Sequence, residues 1–349
     1  MFSSSVRTAL FALAASAVAV SAAPGLSLKV TGPSAVNGVS NLKVSATLTN
    51  TGDETLKVLN DPLSPLSTIP ANTFAITNAD GASPSFAGVK AKFVPQRAAE
   101  LGSYVTLAPG ESKTVEHDLS EAYDFSASGE GSYDVEARNV FQIVQDDNKL
   151  DTIYASAEAH TAEVVGSLTP RAAPTGHMGK RATFRSCSST QQSQLNAAAT
   201  SAQTYAANAL SYANSHTSAT TRYTTWFGAY TAARHTTITS HYSNISGYSF
   251  SSYTFDCTCT DAGTYAYVYP DTFPVVYLCG AFWQAPVTGT DSRAGTLIHE
   301  SSHFTRNGGT EDYVYGQSGA RSLASSNPAN AVFNADNHEY FAENNPAQS

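Results

Sequence analysis

The pentapeptide His299-Glu300-Ser301-Ser302-His303 constrains this 349-residue chain more than any other stretch. Two histidines four apart stand one above the other on a helix face, so both imidazoles can reach one ion. The pattern therefore asks for a helix, and for a fold that brings a further ligand to the same side. The flanks supply the helix: Ala294, Leu297, Ile298 and Phe304 make a buried side, Asp291 or Ser292 a cap, and Asn307-Gly308 a stop. Glu300, beside the first histidine, is placed to take a proton from a water that zinc makes nucleophilic near neutral pH, and to pass it to a leaving amine. The plain alternative is a structural helix with two satisfied histidines.

A zinc ion that does chemistry keeps three protein ligands and one open position. The metzincin pattern would put Gly at 306 and His at 309, where this chain has Arg306 and Gly309. Glu339 and Glu343 are distant candidates for the third ligand. Asp312 is nearer, and the glycines at 308 and 309 allow the sharp return that would bring it to the helix.

The halves of the chain differ in kind. Residues 1–23 read as a signal peptide, with Arg7, an apolar run from Ala9 to Val20, and Ser21-Ala22-Ala23 as a small-residue cleavage site. That run is too short to span a bilayer, and no later segment is long and apolar enough. Residues 24–165 alternate as strands do, in Leu26, Leu28, Val30, then Leu42, Val44, Ala46, then Tyr133, Val135, Ala137. A small β-sandwich is expected there. Residues 166–182 form a linker ending in Lys180-Arg181, a dibasic pair suited to a processing protease. Residues 24–182 would then be a propeptide and 183–349 the mature domain.

The second part is expected to be mainly helical with a small sheet. Helical spacing covers 188–215 and 219–243, strand-like runs lie at 253–255, 265–269 and 275–278, and a helix is expected over 328–343 behind Asn327-Pro328. All four cysteines, Cys187, Cys257, Cys259 and Cys279, fall in this part. In a secreted chain they suggest two disulfides. Cys257 and Cys259 are too close to bridge each other without strain, which leaves two pairings open. The net charge of −9 argues against nucleic acid as a partner.

A resemblance becomes specific after the second histidine. Gly309-Thr310-Glu311-Asp312-Tyr313-Val314-Tyr315-Gly316 resembles the G-T-x-D-x-x-Y-G signature of the aspzincins, or deuterolysins. The stretch from Cys187 onward is similar to the fungal peptidyl-Lys metalloendopeptidases of that family, in Arg222-Tyr223-Thr224-Thr225-Trp226-Phe227-Gly228, Cys257-Thr258-Cys259 and Asn337-His338-Glu339-Tyr340-Phe341. The resemblance implies a zincin-like α+β catalytic domain holding one Zn2+ through His299, His303 and Asp312. Glu300 would be the acid–base, and Tyr315 the donor to the oxyanion. Asp336 and Glu339 would form the pocket for lysine, and Cys187–Cys257 and Cys259–Cys279 the disulfides.

The substrates would be proteins and peptides containing lysine, cut on its amino side by a secreted, monomeric enzyme without nucleic-acid or membrane partner. Helical spacing agrees, since residues 336 and 339 share a face; a solvated acidic face is the plain alternative. A deuterolysin of broader specificity and a non-catalytic secreted zinc protein are the competing readings. The lysines are also unevenly placed: all eight lie between Lys29 and Lys180, and residues 182–349 have none. A mature enzyme lacking its own substrate residue would resist self-digestion.

Overall fold

The computed structural model describes residues 25–172 and 181–349. The expected signal peptide, residues 1–23, and Lys180 of the dibasic pair lie outside the described residues.

The N-terminal region is β-rich, as its alternation requires. Leu26–Thr31 pairs antiparallel with Lys43–Asn50, which pairs with Ser112–Asp118. Leu28, Val30, Val44, Ala46 and Leu48 are buried. A second sheet runs in the order Ala35–Asn37, His160–Val165, Gly131–Ala137, Phe74–Asn78, and turns Ile76, Tyr133, Val135 and Val164 into the same core. Val58, Phe141 and Ile143 reach that core from a third four-stranded sheet, where a simple sandwich has two sheets.

The C-terminal region is mostly helical. Helix α1 (Ser189–Ser215) starts in a capping box between Ser188 and Gln191. The single helix expected over 219–243 is two, α2 (Thr221–Phe227) and α3 (Ala232–Ser246). They part at Gly228, whose φ is 72°, and a Cβ there would lie 2.1 Å from the Ala324 carbonyl oxygen. Only glycine permits that approach. Helix α4 (Arg293–His303) carries the pentapeptide, and Ser292 caps it, its hydroxyl accepting from the Gly295 N–H at 2.9 Å.

Helices α5 (Gly316–Ser326) and α6 (Ala335–Glu343) follow. The helix expected over 328–343 is broken: Asn327 caps the short turn Pro328–Ala331, and α6 starts afresh after Asn334. The Asn334 carboxamide oxygen accepts from the Tyr313 and Val314 N–H groups, so this residue tethers the loop before α5 instead of continuing a helix.

One five-stranded sheet crosses the expected boundary between the two regions. Its strands are β1 (Lys90–Phe93), β2 (Thr183–Arg185), β3 (Thr254–Asp256), β4 (Thr264–Val268) and β5 (Val275–Leu278), in the order β2-β3-β5-β4-β1. The edge strand β1 comes from the N-terminal region and runs antiparallel to β4, with Lys92 opposite Ala266 and Ala91 opposite Tyr267. The disulfides are Cys187–Cys257 and Cys259–Cys279, the pairing that the resemblance implied.

Candidate active site

Helix α4 is buried along its whole length, and both its histidines face one point. The His303 Nδ1 lies 2.9 Å from the Thr310 carbonyl, and the His299 Nδ1 2.8 Å from Asp336 Oδ1. The carbonyl requires an N–H at the His303 Nδ1, which leaves the Nε2 lone pair of that ring facing the point, while burial would lower the His299 pKa but Asp312, Asp336 and Glu339 raise it well above the usual imidazole range.

The Nε2 atoms of the two rings are 3.1 Å apart. Asp312 Oδ1 lies 3.2 Å from one and 3.4 Å from the other, buried and without a hydrogen-bond partner. Two ring nitrogens and a carboxylate oxygen this close can all give a lone pair to one cation held between them. A tetrahedral ion with ligands at about 2.0–2.1 Å has ligand–ligand edges of about 3.3 Å, which matches this triangle.

The loop after α4 puts Asp312 there. The Phe304 carbonyl accepts from the N–H groups of Asn307, Gly308 and Gly309, and Gly309 turns the chain at φ 55°. The Thr310 N–H then returns to the Ser302 carbonyl at 3.2 Å. Burial would raise the Asp312 carboxyl pKa, but His303 and His299 beside it hold it well below the usual range. Glu343, the other distant candidate, sits elsewhere: its Oε1 accepts from the Ser292 N–H and hydroxyl at the start of α4.

Glu300 lies beside the triangle. Burial pushes its carboxyl up to about 8, against the pull of His299 and with the push of Asp312. Its Oε1 accepts from the Lys92 N–H at 3.0 Å. The Tyr315 hydroxyl donates to the Ala91 carbonyl at 3.1 Å, and Asp312 Oδ2 accepts from the Ala91 N–H at 3.1 Å.

Asp336 and Glu339 line one slot, and a lysine fills it. The Lys92 Nζ lies 2.7 Å from Glu339 Oε2, 3.1 Å from Asp291 Oδ1 and 3.5 Å from Asp336 Oδ1. It also stands 5.3 Å from the Tyr265 ring centroid and 5.4 Å from that of Tyr340, close enough for cation–π attraction. Burial alone would strip the proton from this amine, but Asp336, Glu339 and the groups around them hold it charged. His299, Asp336 and Glu339 also cluster tightly enough to hold a metal, but the ammonium is the cation at that cluster.

Three pocket residues escaped the sequence reading. Asp291, expected only as a cap, instead accepts from the Tyr340 hydroxyl at 2.6 Å. Tyr340 follows Asp336 by four residues, a spacing that puts it on the same helix face and could have flagged it. Nothing local pointed to Tyr265, on β4.

The sequence profile of the family described as lysine-specific metallo-endopeptidase matches residues 212–343. A peptidyl-Lys metalloendopeptidase of Grifola frondosa is 60% identical over 99% of this chain and 99% of its own length. One from Armillaria mellea is 54% identical over 100% of both chains. A third, from Pleurotus ostreatus, is 74% identical over 48% of this chain and 99% of its own.

Proposed function

The chain belongs to the aspzincin metalloendopeptidases, in their peptidyl-Lys branch, and on that footing we propose which of its residues hold the metal, move the proton and read the lysine. It is a metalloendopeptidase that hydrolyses the bond on the amino side of lysine.

His299, His303 and Asp312 hold the ion. Two imidazoles and a carboxylate at tetrahedral spacing suit zinc, which takes nitrogen and oxygen ligands with no geometric demand of its own. When bound, zinc supplies Lewis acidity and a water made nucleophilic near neutral pH. Glu300 takes the proton from the attacking water and returns it to the nitrogen that leaves. The Tyr315 hydroxyl donates to the carbonyl oxygen as negative charge develops there. Asp336 fixes the tautomer of His299 through Nδ1.

The lysine side chain enters the slot between Glu339, Asp291 and Asp336. An uncharged side chain would leave these buried carboxylates unpaired, so the slot selects for a cation. Residues 24–182 act as a prosegment released at Lys180-Arg181 by a processing protease, and 183–349 as the secreted enzyme. Two disulfides suit an oxidising compartment. No helix among the described residues is long and apolar enough to cross a membrane.

The observation that carries this reading is the triangle of His299, His303 and Asp312 with Glu300 beside it. Metal analysis of variants tests it. Glu300→Gln is expected to retain zinc and lose hydrolysis, and His303→Ala to lose both. A Glu300→Gln protein that still cuts lysyl peptides would refute the role of Glu300.

A further inference from the structure

A lysine of the N-terminal region fills the pocket of the C-terminal one, and it arrives as a substrate would. Strand β1 joins the edge of β4 in the manner of an extended peptide added to a sheet. The peptide group between Ala91 and Lys92 then meets the assigned groups together. Its carbonyl accepts from Tyr315 and its N–H donates to Glu300, while the Ala91 N–H reaches Asp312 and the Lys92 ammonium reaches Glu339. Register decides this, since a slip of one residue would turn the side chain to the other face of the strand. Lys90, two residues earlier, lies outside the slot and binds the Thr310 carbonyl at 2.8 Å and Glu311 at 2.6 Å.

We infer that Ala91–Lys92 is a substrate bond built into the precursor: it closes the site to other peptides and is cut there by the chain's own catalytic groups. The inference rests on the residue roles proposed above. The step is a hydrolysis. The water oxygen bonds to the Ala91 carbonyl carbon, and the carbon–nitrogen bond to Lys92 breaks. One proton of the water passes by way of Glu300 to the Lys92 nitrogen and the second follows as the new acid ionises, leaving a carboxylate on Ala91 and an ammonium on Lys92. Both flanks stay anchored after the cut. Val89 is buried, and Phe93 packs with Leu59, Ala98, Ala99 and Val144 of the N-terminal region and against Tyr315. The nicked segment therefore remains docked.

The test uses the full-length chain, stripped of metal and then given zinc, with intact mass and N-terminal sequencing followed over time. A new N-terminus at Lys92 is expected, at a rate independent of protein concentration, with the two fragments co-eluting. In a Lys92→Met chain that N-terminus should be absent. A short lysyl peptide added at micromolar concentration should be cut about tenfold faster than by the wild type at early times, because a tethered strand competes at an effective concentration on the order of millimolar.

In the metal-free wild type, amide hydrogen exchange should show residues 90–93 protected like β4. If the variant fails to fold, the wild-type mapping and the exchange measurement still decide. Hydrolysis of the added peptide with Ala91–Lys92 left intact would overturn this inference alone. So would exchange at 90–93 as fast as in an exposed loop. Loss of all hydrolysis, of the peptide and of the chain, would overturn the proposed residue roles with it.

Discussion

His299 Nδ1 lies 2.8 Å from Asp336 Oδ1, so a carboxylate of the lysine slot also orients a ligand of the proposed metal site. The other oxygen of Asp336 accepts from the Gly316 N–H at 2.6 Å, which fixes the carboxylate in place. In the proposed site, specificity and metal binding thus share one residue. Asp336→Asn is expected to weaken zinc binding by about 10–100-fold, the usual cost of losing such a support. Glu339→Gln should weaken it less, because the Glu339 Oε2 lies farther from the His299 Nδ1, at 3.4 Å. Competition with a chromogenic chelator measures both; equal affinities for the two variants would mean that Asp336 does not support the metal.

The lysine slot makes a graded prediction. Glu339 is fully buried and makes the shortest contact with the ammonium, whereas the Asp291 side chain is 25% exposed. Removing one partner from a buried ion pair costs about 3–5 kcal/mol, so Glu339→Gln should lower kcat/KM for lysyl substrates by two orders of magnitude or more. Losing a hydrogen bond to a charged group costs about 1.5–3 kcal/mol, so Asp291→Asn should cost about tenfold or more. Steady-state kinetics on one lysyl peptide ranks them, and an unchanged lysine preference in both variants would remove the slot.

Tyr315 is expected to act on the transition state. Tyr315→Phe should lower kcat by about 10²–10³-fold, in line with loss of an oxyanion donor, with KM little changed and zinc retained. A change confined to KM would assign the hydroxyl to ground-state binding instead.

A buried histidine pair should make the fold sensitive to acid. The His338 Nδ1 lies 3.1 Å from the Asn334 carbonyl and its Nε2 3.0 Å from the His241 Nδ1, an arrangement that leaves room for one proton between the two facing nitrogens and so excludes protonation of both rings. Burial lowers the pKa of His241 to about 4, and burial with the neighbouring His241 lowers that of His338 to about 3. The unfolded chain protonates both rings below about 6.5. Between there and the folded values the unfolded state binds more protons, so stability falls as pH falls, by up to about 1.4 kcal/mol per pH unit for each ring. Urea midpoints between neutral pH and pH ~4.5 should show this slope, and His241→Asn should make it shallower. A variant as acid-sensitive as the wild type would contradict the assignment.

The proposed metal site was legible because it is local. Two ligands and the acid–base lie within a little over one helical turn, and Asp312 follows through a loop whose glycine turn is visible in the sequence. The lysine slot was half legible: Asp336 and Glu339 share a helix face, but Asp291 and Tyr265 come from other elements that only tertiary packing brings in. The contact of Lys92 with Glu300 spans 208 positions, and nothing in the four residues Lys90–Phe93 says which sheet they join. The helix break at Asn334 was hidden for a similar reason: the carboxamide serves a loop some 20 residues earlier in the chain.

The most direct measurement is to digest a protein of known sequence with the chain freed of residues up to 182, and to map every cut bond. The digest is run as prepared, after zinc chelation, and after zinc is restored. Cuts on the amino side of lysine are expected, lost with the chelator and regained with zinc. Cuts spread over other residues, or cuts that persist without metal, would contradict the site built on His299, His303, Asp312 and the lysine slot.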